Sequence, residues 1–235
     1  MDKVKQKQLF DDYSLKYHQT LNDTLKVTGE NSMYFCCERV KWMKQKISNF
    51  FPEHNIKHII DYGCGTGDTI PIINEIFKPL LLTGIDISVK SIDLAKAKYQ
   101  TRNITFYENY KTPKSLTFDL AYCNGVFHHI PIHKREKAIN HMYSLLSEKA
   151  ICAFWENNPW NLGTQYLMNK CPFDKDAITL SFNHSKQLLK KNGFNIVDVS
   201  FCFVFPKAFS FMRFSEKLLS KFPIGAQYLI LAQKE

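Results

Sequence analysis

Arginine is scarce in this chain. Its 235 residues include 31 lysines and arginines against 22 acidic residues, yet the arginines are only Arg39, Arg102, Arg135 and Arg213. Guanidinium is the group that grips phosphate in a bidentate way. A net charge of +9 carried almost wholly by lysine therefore argues against a nucleic-acid partner. Lysines scattered over a solvated face account for most of that charge, with an acidic or membrane-surface partner as the alternative. Long apolar runs are also missing, since none approaches the ~18 residues that span a bilayer. The opening "MDKVKQKQLFDDYSLKY" has no apolar centre of a secretory signal. The seven cysteines contain no C-x-x-C pair, which excludes a disulfide framework or a zinc ribbon. Free thiols in a reducing cytoplasm are the expectation. Glycine and proline number nine each, too few for low-complexity disorder. With no repeat and no Ser/Gly linker, one domain over 1–235 is expected.

What is present alternates. Residues 1–52 read as helical: Phe10, Tyr13 and Tyr17 share one face, and Phe35, Val40, Met43, Ile47 and Phe50 fall near helical spacing. From residue 53 onward, short apolar strands alternate with amphipathic helices. The strands are "IKHIIDYG", "LLLTGIDIS", "NITFYEN", "FDLAYCNGVFHHI" and "AICAFWE", followed by "NIVDVSFCFVF" and "GAQYLILAQ". That order predicts an α/β fold: a Rossmann-like, doubly wound, seven-stranded, mostly parallel sheet with an N-terminal helical cap. Insertions near 156–183 and 206–223 are expected beside the acceptor site.

In such a sheet the ligand sits beyond the strand ends, beside the first strand. "IIDYGCGTGDT", 59–69, is that turn. Its glycines are Gly63, Gly65 and Gly67. A dinucleotide fingerprint needs glycine at 68, where Asp68 stands, and a P-loop needs a lysine that is absent. Carboxylates at Asp61 and Asp68 would spoil a pyrophosphate site. They suit S-adenosylmethionine, which carries a cationic sulfonium and a cationic amine beside one carboxylate. Asp86, at the end of "TGID", is placed to bind both ribose hydroxyls, or else to cap the next helix. Asp61 is either a ligand to the ammonium or a strand-end turn residue.

"DYGCGTGDT", "GIDIS" and "FDLAYCNGVFHHIP", in this order, closely resemble the class I S-adenosylmethionine-dependent methyltransferases over about residues 55–160. The resemblance implies roles. Asp61, Gly63, Cys64, Gly65, Thr66 and Gly67 would wrap the methionine part. Asp86 would hold the ribose and Ile87 would pack on the adenine, with Glu108 and Asn109 beside it. Asn124 and Gly125 would border the methyl group.

Methyl transfer is an in-line displacement that needs an aligned acceptor and, for a hydroxyl, a base. His129 and His128 follow the fourth strand at that point, and His129 is the favoured base; a structural histidine is the alternative. No other histidine shows metal-ligand spacing, so no metal is expected. Tyr13 and Tyr17 are acceptor or cofactor contacts from the cap, or core aromatics. Glu156, Asn157 and Trp160, in "FWENNPWN", would suit a hydroxylated or sugar-like acceptor, or would form a plain turn. The segment, with the later "CPFDKDAITLS", resembles stretches in bacterial methyltransferases of polysaccharide or glycolipid pathways. "KAFSFMRFSEKLLSKF" reads as a basic amphipathic helix, either a cap or a membrane-surface helix meeting a lipid-linked acceptor. The expected function is O-methylation of a sugar-bearing or other hydroxylated small molecule. N- or C-methylation, an NAD-dependent oxidoreductase and a non-catalytic cofactor-binding subunit are the alternatives. The oligomeric state is not legible.

Overall fold

A computed structural model describes residue 11 and residues 17–235. Strands β1 (His58–Tyr62), β2 (Leu81–Asp86), β3 (Ile104–Glu108), β4 (Phe118–Asn124), β5 (Leu146–Asn157), β6 (Phe194–Cys202) and β7 (Gln227–Lys234) form one sheet. Their order is β3-β2-β1-β4-β5-β7-β6. All neighbouring pairs among the first five are parallel, and β7 runs antiparallel to both β5 and β6. The mostly parallel sheet that the sequence predicts thus has a single reversed strand, β7.

β1 pairs with β2 on one side and β4 on the other. The strand order reverses there, which opens a crevice at the strand ends. Both faces of the sheet are covered, so successive residues go to opposite cores. Ile60 and Phe154 face one core, while Ile59 and Trp155 face the other. Helices α5 (Ile132–Leu145) and α7 (Phe182–Lys191) close the first face. The second is closed by α2 (Ser32–Phe50), α3 (Ile70–Phe77) and α4 (Val89–Tyr99).

Local chemistry sets the helix starts. Asn31 accepts from Tyr34 N–H, Ser88 from Ser91 N–H and Asn161 from Thr164 N–H, as N-caps require. Pro71 sits in the first turn of α3, where its missing N–H costs nothing. In α2, Val40, Met43 and Ile47 are buried as the spacing predicts, while Phe50 turns outward. Helix α1 (Tyr17–Leu25) lies over the crevice, where Leu21, Thr24 and Leu25 line it.

Three expectations change. The fourth strand stops at Asn124, because Gly125 takes a positive φ of 66° and a 3-10 turn, Phe127–His129, follows. A helix that periodicity did not reveal, α6 (Leu162–Lys170), follows β5; its apolar face is too narrow to signal, with only Thr164 and Met168 buried. The basic segment is not one amphipathic helix. It is a 3-10 stretch, Lys207–Ser215, broken at Phe209, then a single turn α8 (Glu216–Leu219). Phe211, Phe214, Leu218 and Phe222 nonetheless stand exposed. No helix among the described residues is long and apolar enough to cross a membrane.

Candidate active site

The glycine turn is built by backbone chemistry. Gly63 takes φ 82°, and a Cβ there would come within 2.3 Å of Val126 Cγ2. Only glycine fits. The N–H groups of Gly63 and Cys64 both donate to the Ile85 carbonyl, at 2.8 and 3.0 Å, tying the turn to β2. Gly65 is the opposite case: a Cβ there would meet nothing within 4 Å, because the position faces the open crevice. Its N–H donates to Asp86 Oδ2 at 2.9 Å.

Asp86 also accepts from Ser88 N–H at 2.8 Å, while the Ser88 hydroxyl, not Asp86, caps α4. The helix-cap alternative is therefore taken by the serine. Ser88 Oγ donates in turn to Asp11 at 2.6 Å, which brings Asp11 to this strand end. Burial raises the Asp86 pKa, against the three backbone N–H groups that stabilise its charge.

Asp61 is nearly buried at the end of β1. Burial and the nearby Asp86 push its carboxyl up to about 8, with the Arg39 guanidinium opposing. Arg39, buried on α2, is held by Tyr122 Oη at 3.3 Å and Gln227 Oε1 at 3.0 Å. Sequence reasoning missed Arg39, although its rarity among the basic residues was a signal. Asp68 turns toward α4, accepting from Tyr99 Oη at 3.1 Å, Lys98 at 3.3 Å and the Thr66 hydroxyl.

These residues line one crevice of about 1060 Å³ with Cys64, Thr66, Ile87, Glu108, Asn109, Asn124 and Gly125. That is the upper end of the size range for small-molecule sites. Gly67 does not line it. The expectation that Gly67 touches a ligand gives way to packing, since a Cβ there would press on Tyr99, Ala95 and Phe106. Glu108 reaches Lys111 at 2.9 Å. The buried side-chain oxygens of Asn109 and Asn124 have no hydrogen-bond partner among the described residues. Orphaned buried acceptors of this kind mark places for ligand donors.

The far side of the crevice holds the histidines. Glu156, fully buried at the end of β5, accepts from Phe127 N–H and His128 Nδ1, both at 2.6 Å. Its carboxylate is spent behind His128 and does not reach the crevice, contrary to the expected acceptor contact. Burial would lower the His128 pKa, but Glu156 and Asp174 outweigh it and raise it strongly. His129 is pushed down to about 3 by burial and by the neighbouring His128 charge. It is neutral at pH 7 and a weak base. Asp174 Oδ1 lies 3.5 Å from His128 Nε2 and 3.3 Å from His129 Nε2. Asp174 stands in "CPFDKD", between α6 and α7, a stretch that carries part of the family resemblance but to which the sequence reading gave no site role.

Asn157 lines the crevice and accepts from Gln227 Nε2 at 2.9 Å. Trp160 stands outside, half exposed, with its ring edge-to-face on Phe182. Tyr13 lies outside the described residues, and of Tyr17 only the backbone is described.

A reversed β7 inside a parallel sheet, with a glycine turn facing a strand-end carboxylate, defines a Rossmann-like cofactor-binding protein. The comparisons narrow this. Residues 60–152 match the family described as methyltransferase domain. Trans-aconitate 2-methyltransferase of Escherichia coli is 26% identical over 148 residues, covering 61% of this chain and 56% of that protein. The chain thus spans little more than half the length of the curated relatives it matches. Among solved structures, a methyltransferase of Thermotoga maritima, described as a possible histamine N-methyltransferase, superposes with a TM-score of 0.65. Its identity is 17%, over 98% of this chain and 100% of that one. The plantazolicin methyltransferase in complex with SAH gives 0.64 at 12% identity, covering 97% and 95%. Residues 60–152 thus match a methyltransferase domain, and the solved structures with the same fold include methyltransferases, one of them holding SAH.

Proposed function

We propose that this chain transfers a methyl group from S-adenosylmethionine to an oxygen of a hydroxylated small molecule, a sugar-bearing metabolite being the preferred class. The observation that carries the reading is one crevice with two chemically distinct ends. One end offers the Asp86 carboxylate, the Gly65 turn and the orphaned Asn109 and Asn124 oxygens. The other offers His129, Asp174 and Asn157.

When bound, S-adenosylmethionine supplies a methyl group already activated by its sulfonium. Asp86 would hold the ribose, Asn109 and Ile87 the adenine, and Asp61 with Arg39 beside it the amino-acid end. Asn124 and Gly125 would border the methyl. The residues opposite then have one main task, to bring the acceptor oxygen into line, which is worth several kcal/mol or more. His129 is suited to orienting a hydroxyl rather than to strong general-base work, since its pKa lies far below neutrality.

An anionic acceptor is the second reading. Lys134 and Lys137 line the crevice, and one relative is named for trans-aconitate. A methylation panel of sugars and carboxylic acids, read by S-adenosylhomocysteine release, separates the two. Thermal shift with S-adenosylhomocysteine and with NAD tests the cofactor: stabilisation by NAD alone would sink the reading.

A further inference from the structure

We propose that His128, His129 and Asp174 form a binding site for a divalent transition-metal ion in the acceptor half of the crevice. Each residue offers one ligand atom, and these atoms all lie within 4.8 Å of one another. The two imidazole Nε2 atoms flank a single carboxylate oxygen, Asp174 Oδ1, at 3.5 and 3.3 Å. Charge-assisted hydrogen bonds are shorter, at about 2.7–2.9 Å. Neighbouring ligands on a tetrahedral ion bound at 2.0–2.1 Å sit about 3.3–3.4 Å apart. Two of the three edges have that spacing, and the third is no longer than 4.8 Å.

The outer contacts have the same character. Metal-binding histidines usually give their other ring nitrogen to a carboxylate, which fixes the ring and its tautomer. His128 Nδ1 meets Glu156 Oε2 at 2.6 Å, and the second Glu156 oxygen is held by Phe127 N–H. His128 Nε2 is thereby aimed at Asp174. The loop carrying Asp174 is fastened to the histidine turn: Ile178 N–H donates to the His128 carbonyl at 2.8 Å. Arg135 bridges the Ile130 and Ile178 carbonyls, locking the two segments together. Two imidazoles and one carboxylate suit zinc, manganese, iron(II) or cobalt, and leave coordination positions open. All three residues line the crevice, and His128 Cε1 lies 3.5 Å from where a Gly125 Cβ would stand. An ion there would grip and acidify an acceptor oxygen beside the expected methyl position. That last role rests on the methyltransferase reading; the metal site does not. Sequence spacing hid the site because Asp174 is remote from the histidine pair.

The test uses the full chain stripped with EDTA. Cobalt(II) titration followed by visible absorption should show one ion per chain with a ligand-field band, displaced by zinc. Asp174→Asn and His129→Gln should each weaken cobalt binding at least about tenfold, with the melting temperature confirming that each variant is folded. Glu156→Gln should weaken it about 10–100-fold. Absence of stoichiometric uptake by the unmodified chain overturns the site, as does equal uptake by Asp174→Asn and His129→Gln. S-adenosylhomocysteine binding to the stripped protein is measured alongside. Its loss would break the methyltransferase reading while leaving the cobalt result to stand alone.

Discussion

The two halves of the crevice are built in different ways. Most of the cofactor half comes from short segments, 61–65, 86–87, 108–109 and 124–125, each at the end of a parallel strand, with Arg39 added from α2. Much of it is backbone: N–H groups of Gly63, Cys64, Gly65 and Ser88, bound in a fixed pattern. The acceptor half is assembled from His128 and His129, Glu156, and Asp174, on three separated stretches of chain. Charged side chains join these stretches, with the backbone lending only Phe127 N–H to Glu156 and the Ile178 N–H bond to the His128 carbonyl. Backbone geometry survives most substitutions, whereas a buried network of charged side chains fails when one member is removed.

The largest effect should therefore fall in the acceptor half. Glu156→Ala leaves His128 without the carboxylate that stabilises its charge in a fully buried site. Losing one member of such a pair costs about 3–5 kcal/mol. Chemical denaturation should show that loss, and a loss under about 1 kcal/mol would mean the pair is not what holds the turn. In the cofactor half, Asp86→Ala should cost less in stability but should weaken S-adenosylhomocysteine binding by about 1–3 kcal/mol, through lost charged hydrogen bonds. Calorimetric titration reads it. If affinity is unchanged, the ribose does not sit on Asp86.

The same difference explains what was legible in the sequence. The sheet, its order of strands and helices, and the cofactor turn all rest on local patterns: apolar strands, glycines at required positions, a carboxylate at a strand end. The reversal of β7 and the two-faced core followed from these. The roles of Asp174 and Arg39 were not legible, because their partners lie far along the chain. Glu156 was noticed for the right chemistry in the wrong place. A glutamate at a strand end reads alike whether it faces the crevice or a histidine behind it. The segment 207–222 misled for another reason: its apolar spacing is helical, but the break at Phe209 turns that spacing into exposed side chains.

The pH dependence of the cofactor half is the next effect in size. Asp61 holds its proton up to about 8 in the folded chain, against an ordinary value of 3.8. The folded state binds more protons between those values, so this group's contribution to stability is full below about pH 4 and fades as pH rises through 8. A cationic cofactor favours the carboxylate form. Affinity for S-adenosylhomocysteine should therefore climb with pH toward 8, by at most about tenfold per unit. Titration in two buffers of different ionisation enthalpy should show proton release on binding. Asp61→Asn should flatten the slope. An unmodified chain with no pH slope between 6 and 8 would place the cofactor ammonium away from Asp61.

The smallest effect lies beyond both halves. Trp160 is half exposed and meets Phe182 with ring centroids 5.1 Å apart, outside the crevice. Trp160→Ala removes one aromatic pair, worth about 0.5–1.5 kcal/mol of stability. It should leave the KM for cofactor and acceptor unchanged. The exposed Phe214 makes a matching case, because Phe214→Glu sits on the surface with little to lose in stability. Phe214 shares its segment with Lys207 and Lys217, so vesicle binding tests the membrane-surface alternative there. If the unmodified chain sediments with phosphatidylserine vesicles, Phe214→Glu should reduce it while turnover of a soluble acceptor stays level; no sedimentation by the unmodified chain removes the membrane alternative. A KM change in either variant would show that the acceptor half extends past the crevice rim. The site would then extend outward onto the surface around Trp160 and Phe214.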